Sequence, residues 1–219
     1  MITATPPEPF EERLADRLRA RSNRARPSRT VRVLRRLGRL DRSAYRAVAG
    51  MSTPLLDRPL RRVSDFANFS KPWLLVAAAL ALFGEASGRR AAATGVTAIA
   101  LTSFVINQPM KLVGDRRRPD RRHLGVPESR WVRMPTSTSF PSGHSGSAAA
   151  FAVSVGNMLP GIRLPLRAAA LVVAFSRIYT GVHYPGDVVV GAAVGALVGQ
   201  ATSIAARRLI PTRRCGGAA

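Results

Sequence analysis

Residues 74–83 read Leu-Leu-Val-Ala-Ala-Ala-Leu-Ala-Leu-Phe, with no polar position on any face. A helix that is apolar all round is either buried or lipid-facing. Four more apolar segments follow, at 91–105, 147–159, 166–176 and 188–206. Several are shorter than the roughly 20 residues of a full membrane span, so a soluble helical bundle competes with a membrane one. The absence of a polar stripe in 74–83 and 188–198 favours the membrane. The last segment places Gly191, Gly195 and Gly199 four residues apart, a small-residue face that lets helices approach closely in lipid. The pattern predicts an all-α fold, a polytopic membrane helical bundle of five to six helices.

Ahead of these segments the apolar positions are sparser. Tyr45, Val48, Met51, Leu55, Leu56, Leu60, Val63, Phe66 and Phe69 recur at helical spacing, which predicts an interfacial or packed helix over 41–69 and supplies the sixth helix of the upper count. Leu14, Leu18, Val31, Val33, Leu34, Leu37 and Leu40 are scattered among arginines. That pattern suits an amphipathic helix on anionic headgroups, or a solvated basic tail. At Lys71, Pro72 and Trp73 a cation, a helix-starting proline and an interface-type aromatic mark the change in composition. The expected division is a basic amphipathic region over 1–70, a membrane domain over 71–209 and a tail over 210–219. The first 30 residues contain no apolar run of signal-peptide length, so internal helices are expected to carry the chain into a cell membrane as a multi-pass protein.

Charge narrows the partners. Against 12 acidic residues stand 34 basic ones, a formal net charge of +22 in 219 residues, which points to nucleic acid, an acidic membrane surface or phosphorylated substrates. The aromatics that nucleic-acid modules interleave with their basic residues are missing, so no specific nucleic acid is expected. Lys71 and Lys111 are the only lysines, and His123, His144 and His183 the only histidines. The single cysteine, Cys215, allows neither an intrachain disulfide nor a cysteine metal cluster.

Three clusters hold most of the unusual residues. In the first, the rare Lys111 precedes Arg116, Arg117, Arg118 and Pro119 at the end of an apolar segment; charge flanking a membrane helix would look the same. In the second, Pro141, Ser142, Gly143 and His144 open the segment at 147–159. Ser142 makes a helix cap, and the first-turn amides with the helix dipole also make an anion site. The third joins Ser176 and Arg177 to His183 and Asp187 across a Gly/Pro-rich turn. Charged and imidazole groups beside membrane segments are costly enough that they usually serve a site. His123 and Trp131, in the 111–140 connection, belong to no cluster; Trp131 either dips into the interface or packs.

Together the clusters resemble the type 2 phosphatidic acid phosphatase superfamily of membrane lipid phosphatases, which also includes soluble bacterial acid phosphatases and vanadium haloperoxidases. The family pattern is Lys, six residues, Arg-Pro; then Pro-Ser-Gly-His; then Ser-Arg, five residues, His, three residues, Asp. Every position is present in order. The resemblance covers roughly residues 71–206.

It implies a membrane-embedded phosphatase acting on lipid phosphates, either phosphatidic acid or an isoprenoid phosphate or diphosphate. Lys111, Arg118 and Arg177 would surround the phosphate, with Ser142 and Gly143 binding its oxygens. His183 would be the nucleophile, forming a phosphohistidine, Asp187 its orienting partner and His144 the general acid. No metal or other cofactor is implied, since the cations neutralise the charge. The rival readings are a vanadate-dependent haloperoxidase, a Ser142 nucleophile, and a non-enzymatic membrane protein that binds anionic lipid or nucleic acid. Five spans with the basic N-terminus inside would place the clusters on the cytoplasmic side, and a sixth would reverse that.

Overall fold

The computed structural model describes residues 28–209. Among them are seven helices of 13 residues or more and no strand: α1 (Arg29–Ala49), α2 (Pro54–Phe66), α3 (Lys71–Phe83), α4 (Ala86–Val105), α5 (Gly143–Met158), α6 (Arg163–Tyr179) and α7 (Pro185–Leu209). Contacts divide the chain after Leu40. The described part of the first unit is the opening of α1. At 100° per residue its Val33, Leu37 and Leu40 share one side and Arg32, Arg35 and Arg39 the other, all exposed.

The unit from Asp41 onward carries the three clusters. It begins ahead of residue 71, where the composition changes, because Tyr45, Ala49, Asp57, Leu60 and Ser64 are all buried. The single helix expected over 41–69 is two helices. Gly50 closes α1, residues 51–53 lie outside any helix, and Pro54 opens α2 with the fixed backbone angle that suits a first turn. Between α2 and α3 the chain turns by 70°. Phe69 and Ser70 hold φ of 56° and 57° there, a left-handed conformation uncommon for residues with a Cβ.

The five predicted apolar segments all form helices. Two are long and apolar enough to cross a membrane on their own: α7, and α4 taken through to Val113; the bent α2–α3 pair makes a third if it is one span. After Val105 helix α4 widens into a π turn over Ile106–Met110, then closes with Lys111–Val113. Pro109 lies in that turn, without an amide hydrogen and with a ring that crowds the preceding turn.

Helix α5 is the centre of the bundle, packed on α4, α6 and α7, with 10 of its 16 residues buried. The glycines of α7 explain how closely it approaches. A Cβ on Gly191 would run into the carbonyl of Ser142, one on Gly195 into that of Gly146, and one on Gly199 would sit 2.5 Å from that of Ala150. Trp73 does not sit at an interface: it is 2% exposed, with its ring 5.7 Å from that of Phe151.

Candidate active site

One end of the bundle collects the N-terminus of α5, the turn between α6 and α7, the end of α4 and the α2–α3 bend. A cavity of about 200 Å³ opens there, and its wall includes Lys111, Arg118, Gly143, His144 and His183. Five of the eight residues singled out in the sequence therefore share one space. Ser142, Arg177 and Asp187 are at most 1% exposed and stand behind that wall.

His183 occupies the turn ahead of α7 and is 2% exposed. Its Nε2 lies 3.2 Å from Arg118 Nη1. A guanidinium only donates, so Nε2 is the lone-pair nitrogen and the ring proton sits on Nδ1. Nδ1 faces Asp187 Oδ2 at 3.7 Å, beyond hydrogen-bond reach. Burial, with Arg118 and Arg177 adding and Asp187 opposing, pulls the imidazole down to about 4. At neutral pH the ring is thus uncharged, with the lone pair on Nε2 accepting from Arg118.

The cations differ in their freedom. Arg118 is pinned by four carbonyl and hydroxyl contacts: Nε to Ser137 O (2.8 Å), Nη1 to Val182 O (2.8 Å), and Nη2 to Thr138 O (3.2 Å) and Ser137 Oγ (3.3 Å). Among the described residues Lys111 donates to Ser137 Oγ alone, at 3.1 Å. Arg177, in the last turn of α6, donates from Nη1 to Ser64 O (3.1 Å) and Ser64 Oγ (2.6 Å); its buried Nε has no partner among the described residues.

At the mouth of α5 the Ser142 hydroxyl is engaged in capping. It accepts from the Ser145 amide at 3.4 Å and lies 3.0 Å from Ser145 Oγ, while the Gly146 amide bonds to Ser142 O. The first-turn amides of Gly143 and His144 are left to meet a ligand. His144 Nε2 donates to Asn68 Oδ1 at 2.9 Å, which places its proton on that nitrogen.

Several supporting residues were not anticipated: Asn68, Ser64, Ser137, Ser139 and Arg116. Ser137 and Ser139 lie in the Thr/Ser run just ahead of Pro141, and Arg116 lies in the first cluster, where it carries no role in the family pattern. Trp131 packs: its Nε1 bonds to Val126 O at 3.0 Å and the Arg121 guanidinium stacks 4.8 Å from its ring. His123 is exposed in a loop turn.

A family model described as PAP2 superfamily matches residues 91–211, more than half of the chain. A decaprenylphosphoryl-5-phosphoribose phosphatase from Mycobacterium tuberculosis is 35% identical over 170 residues, covering 74% of this chain and 89% of that protein. The undecaprenyl-diphosphatase BcrC of Bacillus subtilis is 30% identical over 161 residues, 71% of this chain and 78% of that one. Among solved structures, a transmembrane PAP2-type phosphatidylglycerolphosphate phosphatase from Bacillus subtilis superposes with a TM-score of 0.59 at 21% identity, over 81% of this chain and 89% of that one. Aquifex aeolicus LpxE gives 0.61 at 23% identity, over 74% and 94%. The solved structures share the transmembrane helical fold and the sequence match spans all three clusters: the chain belongs to the PAP2 superfamily and is a membrane phosphatase.

Proposed function

We propose that this chain sits in the cell membrane and hydrolyses lipid phosphates, isoprenoid-linked phosphates or diphosphates ahead of phosphatidic acid. The preference rests on relatives named for polyprenyl-linked substrates that match over most of their length. The observation that carries the mechanism is the shared cavity, where the lone pair of His183 Nε2 and the proton of His144 Nε2 flank the space walled by Lys111 and Arg118.

A phosphomonoester brings about −1.5 to −2 charges. Lys111 and Arg118 in the wall, with Arg177 and the Ser142 cap behind it and the Gly143 amide at the mouth, offset that charge and orient the oxygens. His183 Nε2 attacks phosphorus in line, the bond to the lipid oxygen breaks, and His144, carried to the imidazolium by the negative charge of the bound phosphate, protonates the departing oxygen and is left neutral. Asp187 faces the positive charge that develops on His183. Water then attacks phosphorus, His144 takes its proton, and the N–P bond breaks to release phosphate. A cavity of about 200 Å³ holds a head group and leaves the lipid tail outside. Phe69, 86% exposed, stands at its rim.

The test is phosphate release from a polyprenyl phosphate, a polyprenyl diphosphate and phosphatidic acid in mixed micelles. His183→Ala should abolish turnover and His144→Ala should lower it about 10²- to 10⁴-fold. Near-full turnover in either variant would rule the mechanism out. Vanadate should inhibit without supporting bromide oxidation; vanadate-dependent bromination would instead favour the haloperoxidase reading.

A further inference from the structure

The carboxylate behind His183 is held by residues at positions that the family pattern leaves unspecified. Asp187 is completely buried. Its Oδ2, the oxygen facing His183, accepts from Ser139 Oγ at 2.5 Å and from the Tyr184 amide at 2.9 Å. Its Oδ1 accepts from Arg116 Nη1 at 2.8 Å, and Arg116 Nη2 reaches Asp41 Oδ2 at 2.5 Å. Asp41 Oδ1 in turn accepts from the Gly186 amide at 2.6 Å, one residue before Asp187. The Arg116 guanidinium lies 4.0 Å from the centre of the Tyr184 ring.

We propose that Asp41 and Arg116 are positioning residues for the His183–Asp187 pair: Arg116 fixes the Asp187 carboxylate, and Asp41 cancels the charge that Arg116 brings. The proposal rests on His183 being the nucleophile. Asp41 lies far ahead of the family match at 91–211. Its side chain is only 13% exposed, a setting in which a carboxylate is unfavourable unless paired.

The physical reason for a pair rather than a lone arginine is electrostatic. A guanidinium presents its donors as a rigid fork and can bridge two carboxylates while fixing the plane of each. An arginine alone would also weaken the field of Asp187 at His183, whose ring becomes cationic as the N–P bond forms. With Asp41 the three groups keep a net charge of −1, so Asp187 is both fixed and still effective. Asp41 additionally clamps the backbone at Gly186, which sets where α7 begins.

The variants are Asp41→Asn, Arg116→Gln, Arg116→Lys and the double Asp41→Asn/Arg116→Gln, measured in the full chain for kcat, KM and thermal midpoint. Asn is isosteric and still accepts from the Gly186 amide, but its NH2 then faces the Arg116 guanidinium, so it removes both the charge and the hydrogen bond to Arg116 while keeping the backbone clamp. Asp41→Asn should lower kcat about tenfold, within the range usual for residues that orient a reacting group, with KM and thermal midpoint nearly unchanged. Arg116→Gln should lower kcat further, Arg116→Lys should recover part of the loss, and the double variant should be no slower than Arg116→Gln, because Asp41 acts through Arg116. A kcat for Asp41→Asn within twofold of wild type, multiplicative losses in the double variant, or a loss matched by the unfolded fraction would each overturn the proposal. His183→Ala is run alongside: turnover there would sink the phosphohistidine reading itself, a result separable from any behaviour of the Asp41 series.

Discussion

Arg118 determines the proton arrangement of His183, because a group that only donates, 3.2 Å from Nε2, leaves that nitrogen no role but acceptor. Burial then keeps the ring neutral, with its ionisation near 4. The sign follows: the attacking form is lost only as pH falls through that value and is complete from about pH 5 upward. In pH profiles of kcat/KM, an acid limb above pH 5 should follow the second ionisation of the phosphate substrate near 6 and move when the substrate is changed. A limb near 6.5 that stays fixed across substrates would contradict the assigned state of His183. Asn68 has the matching role for the acid. Asn68→Ala should lower kcat about tenfold with little change in KM, since the proton on His144 Nε2 loses the acceptor that holds it; an unchanged kcat would show that Asn68 does not orient the ring. The motif residues were legible in the sequence because their spacing is local. Asn68, Ser64 and Arg116 were not, because each acts on a residue about 70 or more positions away and only folding brings them together.

The packing of α5 against α7 is the element-level feature on which the site depends. It brings the Ser142 amide to within 2.9 Å of Asp187 O, joining the N-terminal end of α5 to the first turn of α7. The four-residue glycine repeat predicted a close helix contact, and the structure identifies the partner as α5. Gly195→Leu would force a side chain into the Gly146 backbone, so it should destabilise the fold by about 1–3 kcal/mol and reduce turnover, measured as denaturant midpoint and kcat. A variant with wild-type stability would mean that the two helices are less closely apposed. Helix existence was legible from the apolar runs, whereas the break at 50–53 was hidden by apolar spacing that continued through it. Trp73 was read as an interface residue from its place beside Lys71 and Pro72, yet the space beside Phe151 takes its whole ring. Burial of that kind depends on a helix distant in sequence.

Over the whole molecule, a net charge of +22 is resolved into distinct uses. Some arginines hold the architecture together. Arg130, 1% exposed, donates from Nε to Asp57 Oδ1 at 2.8 Å, bonds to Met51 O, and stacks 4.2 Å from the centre of the Tyr179 ring. It thereby ties the 111–140 connection to α2 and α6. Arg130→Met leaves Asp57 buried without its counter-charge and should cost about 3–5 kcal/mol, with much of the loss recovered in Asp57→Leu/Arg130→Met; a single variant as stable as wild type would deny the pair its structural part. Other arginines line the exposed face of α1 opposite Val33, Leu37 and Leu40, the pattern of a helix lying on anionic lipid. Vesicle binding by the 29–49 peptide should rise with phosphatidylglycerol content and fall with salt, and binding indifferent to both would contradict that reading. The central claim is the nucleophile, and trapping tests it most directly. The full-length protein, quenched during turnover of a ³²P-labelled lipid phosphate, should carry acid-labile, alkali-stable label on the peptide containing His183, with none in His183→Ala. Alkali-labile label on the peptide containing Ser142, or label that survives in His183→Ala, would contradict the account.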